Sequence, residues 1–235
     1  EIERVLANCG AVSSYYESFD ELAKRVAMVL ADGKVIGWFQ GRMEYGPRAL
    51  GNRSILGDPR SPEMQKKLNL KIKYREGFRP FAPSVLEEEI QTYFELDRPS
   101  PYMLLVAPVR ADRRITVPSD YHEKGLYERL YFLRSDIPSI THVDYSARIQ
   151  SVSKDVNPRY WQLIREFKAL TGYGVIVNTS FNVRGEPIVC TPQDAYRCFM
   201  RTEMDYLVMG NYLLDKREQP KFVESADWRT EFKLD

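Results

Sequence analysis

Basic side chains are concentrated in one stretch of the chain, residues 41–81. This stretch holds ten lysines and arginines against four acidic residues, so its net charge is +6, whereas the whole 235-residue chain carries only +1. Such a local excess indicates a docking place for an anion, although a solvated basic face would have the same composition. Arg48 follows Pro47 and Arg79 precedes Pro80, so both arginines lie on stiffened turns. Because a rigid arginine loses less entropy when it grips a phosphate or carboxylate, the turns favour the binding interpretation.

A second group of hydrogen-bonding side chains follows the short apolar sequence at residues 174–177. It reads Asn178, Thr179, Ser180, Phe181 and Asn182. Small polar residues of this kind also form ordinary turns, so on this segment alone both interpretations stay open. Beside a basic cluster, the better hypothesis is that the segment holds a nucleotide phosphate or a small acyl group.

The chain offers few residues for metal binding or for catalysis by histidine. It has two histidines, His122 and His142, far apart in sequence, and no pair of histidines or cysteines at a metal-ligand spacing. We expect no metal site of the chain's own, and we expect His142 to be a packed, hydrogen-bonded residue within a strand. A GxxxxGK[ST] sequence is also absent, so ATP would not be bound by a P-loop.

The bulk composition is that of a globular protein, with 43% apolar and 29% charged residues. A length of 235 residues allows one large domain or two small ones. No apolar run approaches the roughly 20 residues that span a bilayer, and no signal peptide is visible, so we expect no membrane partner. Three scattered cysteines favour a reducing, cytoplasmic location. The chain begins without methionine, and we expect it to be a domain cut from a longer protein.

Hydrophobic periodicity and capping residues predict an α/β fold. The expected helices cover residues 18–33, 61–72, 86–94 and 157–171, with another beginning at Thr191. The expected strands cover residues 34–40, 102–109, 139–144, 174–177 and 206–209, while residues 1–17 read as irregular and 110–137 as a long polar excursion. The final strand, loop, helix and strand are consistent with a βαβ unit. The basic loop after residue 40 would then follow a strand, which is a common place for a binding site in α/β folds.

Five runs of sequence resemble the C-terminal domain of the O-carbamoyltransferases, the family of the nodulation, cephamycin and tobramycin carbamoyltransferases. They are GRMEYGPRALGNRSILGDPR, KYREGFRPFAPSV, HVDYSARIQSV, NTSFNVRGEPIV and MDYLVMGNYLLDK. The resemblance runs in order along the chain and divides it into three parts. Residues 1–33 form a lead-in segment and helix, 34–216 the resembled domain, and 217–235 a polar C-terminal tail.

This resemblance implies the YrdC/Sua5-like fold, a twisted mixed sheet with flanking helices and a basic concave face. It also implies that the domain makes carbamoyl adenylate from ATP and carbamoyl phosphate with Mg²⁺. A separate N-terminal domain with a histidine-bound metal would then transfer the carbamoyl group to a hydroxyl acceptor.

Carried over by motif, the expected catalytic residues are Lys73, Arg79 and Arg148. We expect Arg48, Arg53, Asn178, Thr179, Ser180, Phe181 and Asn182 to bind the substrate or nucleotide. One departure is visible at Tyr145, where the resembled family would have a small residue, often glycine.

The main alternative is a nucleic-acid-binding module, because a basic concave sheet also suits the backbone of duplex RNA. Two features disfavour a nucleic-acid partner: glycine and proline turns interrupt the basic residues, and the total charge is close to neutral. A third interpretation is a purely structural domain that supports the rest of a longer protein.

Overall fold

The framework of the fold, in a computed structural model that describes residues 1–222, is a mixed sheet of nine strands. The strands are β1 Ser14–Tyr15, β2 Ile36–Phe39, β3 Arg53–Gly57, β4 Ala82–Leu86, β5 Leu105–Pro108, β6 Ser146–Val152, β7 Val175–Ser180, β8 Tyr206–Met209 and β9 Tyr212–Asp215. Their order across the sheet is β1-β9-β8-β2-β3-β7-β4-β6-β5. The pairs β2–β8 and β4–β6 are parallel, whereas the other neighbouring pairs are antiparallel. The mixed α/β architecture expected from the sequence is therefore confirmed.

Helices cover both faces of this sheet. They are α1 Ile2–Asn8, α2 Phe19–Ala31, α3 Met64–Lys67, α4 Ile90–Tyr93, α5 Leu126–Leu130, α6 Pro158–Thr171 and α7 Pro192–Arg201, with a π-helical turn at Leu68–Ile72. On one face α2 and α6 bury Trp38, Tyr160 and Phe167, while Leu68 and Phe199 belong to the core on the other face. Within residues 1–222, no helix is both long enough and apolar enough to cross a membrane.

The strongest sequence signals for helix ends hold in the structure. In α6, Pro158 occupies the first turn, the Asn157 side chain accepts a hydrogen bond from the Tyr160 amide, and Gly172 ends the helix with φ of 81°. In α7, Thr191 caps the helix as expected and forms a capping box with Asp194, whereas Ser18 at the start of α2 makes no side-chain cap hydrogen bond. These local interactions need no tertiary partner, which is why the sequence alone predicts them.

Three expectations about secondary structure are wrong. Residues 1–17 are not irregular, since they contain α1 and β1, and β1 pairs with β9 at the edge of the sheet. Residues 139–144 are not a strand, because Pro138 begins a 3-10 turn and the strand β6 starts only at Ser146. The apolar strand expected at 174–177 continues through Ser180, so the first three residues of the loop expected after it, 178–180, belong to β7.

The backbone at Tyr145 explains the departure noted there. Tyr145 has φ of 66°, in the left-handed region that glycine adopts most easily. Its hydroxyl donates to the Ile115 carbonyl at 2.9 Å, so the tyrosine fastens the long excursion at residues 110–137 to the start of β6. We infer that this tertiary contact offsets the backbone strain.

The basic loop at residues 41–52 is held in place by several contacts with the sheet and with itself. Glu44 Oε1 accepts from the amides of Leu50 and Asn52 at 2.6 and 2.9 Å. The indole of Trp38 donates to the Gly51 carbonyl at 2.8 Å. Gly51 has φ of 107°, and a Cβ built there would lie 2.2 Å from the Tyr160 ring. Only glycine therefore fits where this loop presses on α6.

We predict that Gly51→Ala destabilises the chain by about 1–3 kcal/mol, because the added methyl group overpacks the contact with the buried Tyr160 ring. The measurement is urea unfolding followed by circular dichroism. Gly41→Ala is the matched control: Gly41 also has positive φ, 47°, but no atom lies within 4 Å of the built Cβ. Equal losses in the two variants would show that backbone strain, and not the approach to Tyr160, decides the residue at position 51.

Candidate functional site

The amino group of Lys73 lies against the end of β7, where two distant sequence motifs meet. Its Nζ donates to the Ser180 carbonyl and to the Asn182 carbonyl and Oδ1, the last two at 2.9 and 2.7 Å. The Ser180 Oγ lies 3.2 Å from the same nitrogen. The lysine is only 3% exposed. The structure therefore brings Lys73 of the basic stretch together with the polar segment at 178–182.

This cluster is internally hydrogen-bonded and electrostatically unusual. Ser180 Oγ donates to Asn182 Oδ1 at 2.7 Å, and Asn182 Nδ2 donates to the Glu186 carbonyl at 2.6 Å. Burial, and to a lesser extent the charge of Arg75, lowers the pKa of Lys73 to about 7. The surrounding oxygens favour the ammonium form, because each accepts a hydrogen bond from it. Burial is the larger effect, so the pKa of Lys73 lies well below the usual value for a lysine.

Asn69 organises the rest of the basic motif, and the sequence analysis did not single it out. Asn69 is fully buried in the π-helical turn Leu68–Ile72. Its Oδ1 accepts from Arg75 Nε at 2.7 Å, and its Nδ2 donates to the carbonyls of Arg79 and Gly77 at 2.8 and 3.3 Å. One side chain thus fixes the course of residues 75–79. In the sequence, the one sign of this role was that Asn69 is a polar amide residue between the apolar Leu68 and Leu70 of the expected helix.

Two further arginines adjoin the predicted Arg79. Arg75 lies with its guanidinium 5.0 Å from the centre of the Phe81 ring, and burial together with Arg79 lowers its pKa to about 10. Arg79 and Arg184 both form ion pairs with Glu76. Neither Arg75 nor Arg184 was predicted, although each lies within two residues of a predicted one.

A buried amide network holds the 41–52 loop on the sheet. Asn178 Nδ2 donates to the Ala49 carbonyl and to Gln150 Oε1 at 2.9 and 2.8 Å. Gln150 Nε2 donates in turn to the Leu50 carbonyl at 2.7 Å. Both amide side chains are almost fully buried, 1% and 3% exposed. Asn178 therefore positions the loop that carries Arg48.

Arg148 lies on the same row of the sheet as Asn178. The register pairs Ala82 with Asn178 in the antiparallel direction and Ser84 with Gln150 in the parallel direction, which brings Arg148 level with Ala82. Because neighbouring strands are about 4.8 Å apart, Arg148 and Asn178 are separated by about 10 Å across one sheet face.

The guanidinium of Arg148 is available to a ligand. Within residues 1–222 it has no hydrogen-bond or ion-pair partner, and burial followed by the nearby charge of Arg48 lowers its pKa. Arg48 is exposed on its loop. Two neighbouring cations that form no ion pair with the described residues favour the binding of an anion between them.

Arg53 occupies a different environment. It is 4% exposed, and its guanidinium donates to the carbonyls of Gln40, Gly41 and Cys190 at 2.8, 3.2 and 3.1 Å. The same group stacks 3.5 Å from the centre of the Phe39 ring. Carbonyl groups of the protein already accept hydrogen bonds from this guanidinium, so the structure gives Arg53 a role in holding loops together. Contact between Arg53 and a substrate stays a prediction.

Two members of the polar segment point away from Ser180. Strand alternation puts the side chain of Thr179 on the sheet face opposite to those of Asn178 and Ser180. Phe181 is fully buried and packs against Gly37, where a Cβ would lie 2.7 Å from the phenyl ring. Packing accounts for Phe181, and ligand contact by either residue stays a prediction.

The remaining titratable groups near the site do not form a metal centre. No group of three or more His, Cys, Asp or Glu side chains suited to a metal ion occurs in the part of the chain that the structure describes. His142 is half-buried with Nδ1 3.2 Å from Ser146 Oγ, and burial lowers its pKa. It borders a cleft of about 280 Å³ lined also by Phe78 and Tyr131, which includes neither Lys73 nor Ser180.

The titration of Lys73 gives a testable pH dependence. In the unfolded chain its pKa is 10.5, so between pH 7 and 10.5 the unfolded state binds more protons at this residue than the folded state. The free energy of unfolding contributed by Lys73 therefore rises with pH across this window, and the cost of burying it is greatest below pH 7.

We predict that wild type gains stability relative to Lys73→Met from pH 7 to 10, measured by urea unfolding. Lys24→Met, at an exposed position of α2, is the control, and parallel pH profiles for wild type and Lys73→Met would contradict the assignment.

Comparison with solved structures shows the fold. The structure of P. abyssi Sua5 complexed with L-threonine superposes with a TM-score of 0.54 at 14% sequence identity, covering 82% of this chain and 47% of that chain. The YrdC/Sua5-like architecture expected from the sequence is therefore confirmed.

Comparison with other sequences shows the family. The chain is 45% identical over 215 residues to nodulation protein NolNO of Sinorhizobium fredii, covering 90% of this chain and 28% of that protein. It is 39% identical over 160 residues to a 3'-hydroxymethylcephem-O-carbamoyltransferase of Amycolatopsis lactamdurans, covering 68% and 26% respectively. The chain spans less than two fifths of the length of the curated relatives it matches. Residues 27–216 match the profile described as carbamoyltransferase C-terminus, and the chain belongs to that family.

Proposed function

We propose that this domain binds ATP and carbamoyl phosphate and forms carbamoyl adenylate, which a second domain uses to carbamoylate a hydroxyl acceptor. The observation that carries the proposal is the meeting of Lys73 with Ser180 and Asn182 at the end of β7. A buried positive charge and two hydrogen-bonding side chains suit a small acyl group, and the arginines of the basic stretch suit the phosphate attached to it. The carbamoyl transfer named for the cephem relative supports the choice of acyl group.

The proposed chemistry is nucleophilic displacement at phosphorus. Hydrolysis of carbamoyl phosphate to carbamate and phosphate supplies the nucleophile. A carbamate oxygen then bonds to the α-phosphorus of ATP while the bond from that phosphorus to the pyrophosphate oxygen breaks. Phosphoryl chemistry asks the protein mainly for positioning and for positive charge near the oxygens. Arginines and a lysine supply both, and no histidine base is required.

Each group in the site has a distinct proposed task. Arg48, Arg79 and Arg148 bind phosphate oxygens through charge-assisted hydrogen bonds. Ser180 and Asn182 are half-buried and hydrogen-bond the carbamoyl group. Lys73 lies behind them, where its charge orients both side chains and adds positive potential without direct exposure to solvent.

Magnesium would reach this site as the ion bound to ATP. The described residues offer no cluster of carboxylates for a resident ion, and Mg²⁺ binds readily through substrate phosphates and water. Its chemistry would be to neutralise charge on the departing pyrophosphate.

A second domain is part of the proposal because the adenylate is only an intermediate. Transfer to an alcohol requires the hydroxyl to be deprotonated or polarised by a metal, and the described residues hold no cluster of side chains suited to a metal ion. Carbamoyl adenylate is a reactive mixed anhydride and must be shielded from water until the acceptor arrives. The much greater length of the relatives is consistent with an N-terminal, metal-bearing partner domain.

The proposed half-reaction predicts isotope exchange by the chain alone. With ATP, Mg²⁺ and carbamoyl phosphate, the purified chain is expected to incorporate labelled pyrophosphate into ATP slowly, and to carbamoylate no hydroxyl acceptor in a mass-spectrometric assay. Ser180→Ala is expected to reduce the exchange rate more than it reduces ATP binding, because the hydroxyl contacts the acyl end.

Two outcomes would contradict this account. Exchange that is absent, or that proceeds without carbamoyl phosphate, would exclude carbamoyl adenylation by this domain. A carbamoylated alcohol formed by the chain alone would place the acceptor chemistry in residues to which we give no such role.

Arg148 is the cleanest position at which to test nucleotide binding. Its guanidinium has no hydrogen-bond or ion-pair partner within residues 1–222, so its removal breaks no hydrogen bond or ion pair among those residues. We predict that Arg148→Gln weakens ATP binding by about 1.5–3 kcal/mol, the range for hydrogen bonds to charged groups. Isothermal titration calorimetry measures the loss, with Arg110→Gln, an exposed arginine paired with Asp112, as the control. Unchanged affinity in Arg148→Gln would remove this residue from the site.

A further inference from the structure

A carboxylate lies between two arginines beside the candidate site. Glu76 Oε2 is 3.0 Å from Arg79 Nε, and Glu76 Oε1 is 3.3 Å from Arg184 Nη1. One oxygen therefore faces each arginine. Two arginines that hold the two oxygens of a carboxylate have the spacing needed to hold two oxygens of a phosphate group.

The positions of both arginines are fixed by contacts that do not involve Glu76. The carbonyl of Arg79 accepts from Asn69 Nδ2 at 2.8 Å and from Gln65 Nε2 at 3.3 Å. The amide of Arg184 donates to the Lys73 carbonyl at 3.3 Å, which ties its backbone to the candidate site. The backbones that carry the two guanidinium groups would therefore stay in place if the carboxylate turned away.

The side chain of Glu76 is 39% exposed and that of Arg79 is 44% exposed, but Glu76 Oε2 itself is buried and accepts no hydrogen bond from the described residues, so its contact with Arg79 is an ion pair only. An ion pair near the surface is held weakly, so a more highly charged anion can displace the carboxylate. The pKa of Glu76 is held below its ordinary value by a hydrogen bond from its own backbone and by Arg184 and Arg79. The carboxylate is therefore ionised at neutral pH and competes with any other anion for the two arginines.

The local charge also exceeds what Glu76 neutralises. Arg75 lies close enough to both Arg79 and Glu76 for their charges to act on its pKa, which Arg79 helps to lower. Three cationic side chains, those of Arg75, Arg79 and Arg184, therefore adjoin one carboxylate. A ligand with more negative charge than a single carboxylate would be favoured here over Glu76.

We propose that Arg79 and Arg184 form a subsite for a diphosphate group, and that Glu76 occupies this subsite when no ligand is bound. Glu76 then acts as an internal competitor. It keeps the two arginines paired in the free chain and is displaced by the ligand. The inference shares Arg79 with the proposed function but requires only diphosphate binding, whether or not an adenylate is formed.

The direction in which one substitution changes the affinity for diphosphate distinguishes this proposal from a purely structural ion pair. Glu76→Gln keeps the shape of the side chain but removes the competing charge. If Glu76 is a competitor, the variant binds diphosphate more tightly than wild type. If Glu76 instead stabilises the geometry that the arginines need, the variant binds more weakly.

The test is calorimetric titration with inorganic pyrophosphate, in the absence of carbamoyl phosphate. We expect Glu76→Gln to bind pyrophosphate about 2- to 5-fold more tightly, the factor that corresponds to one exposed ion pair. Arg184→Gln is expected to bind more weakly than wild type. Glu203→Gln, which removes a similarly exposed carboxylate paired with Lys71, is the control and should leave the affinity unchanged.

Each result decides the proposal. Thermal unfolding confirms that every variant is folded, and Glu76→Ala provides a second neutral side chain if the glutamine variant is unstable. Pyrophosphate affinity in both Glu76 variants that is equal to or lower than that of wild type would overturn the proposal, as would wild-type affinity in Arg184→Gln. A parallel titration with ATP distinguishes a subsite for free pyrophosphate from one that serves the diphosphate end of a nucleotide. Because no carbamoyl phosphate is present, a failure of the adenylation proposal would not alter these results.

Discussion

The candidate site depends on one buried ammonium group. Lys73 is enclosed by oxygens of Ser180 and Asn182 and is almost inaccessible to solvent. Burying a charge costs free energy that only close, charge-assisted hydrogen bonds offset. The turn after the π-helical segment and the end of β7 must therefore meet with little freedom, because a small separation would leave an unpaired charge in the interior. This constraint makes two motifs 107 residues apart into one structural unit.

Around this unit, amide side chains do most of the positioning and arginines supply most of the accessible charge. Asn69 fixes the course of the basic turn, and Asn178 with Gln150 fixes the 41–52 loop. Amides suit this role because they both donate and accept while carrying no charge that burial would penalise. The arginines that remain accessible, Arg48, Arg79 and Arg148, lie on elements held by these amides. A site for phosphate groups thus has rigid supports and exposed cations.

The sequence predicted the parts of this site that depend on local pattern or on long motifs. The family resemblance indicated Lys73 and the segment at 178–182. The helix caps at Asn157 and Thr191 could be predicted because capping depends on neighbouring residues in the sequence. Arg53 shows the limit of such reasoning. A buried arginine that binds carbonyl groups and an exposed one that binds a ligand have the same sequence signature, and only tertiary packing separates them. Asn69 and Arg184 were missed for a related reason, since their roles arise from residues brought near by the fold. The wrong strand at 139–144 followed from alternation without regard to Pro138 and to the positive φ at Tyr145.

The most direct test of the central claim is a crystal structure of the chain with a non-hydrolysable ATP analogue and Mg²⁺. The account predicts that phosphate oxygens lie within hydrogen-bonding distance of Arg148, and that Lys73 stays bound to Ser180 and Asn182. Phosphates bound instead in the cleft beside Phe78, Tyr131 and His142, or in the groove that contains Arg53 and Cys190, would contradict it.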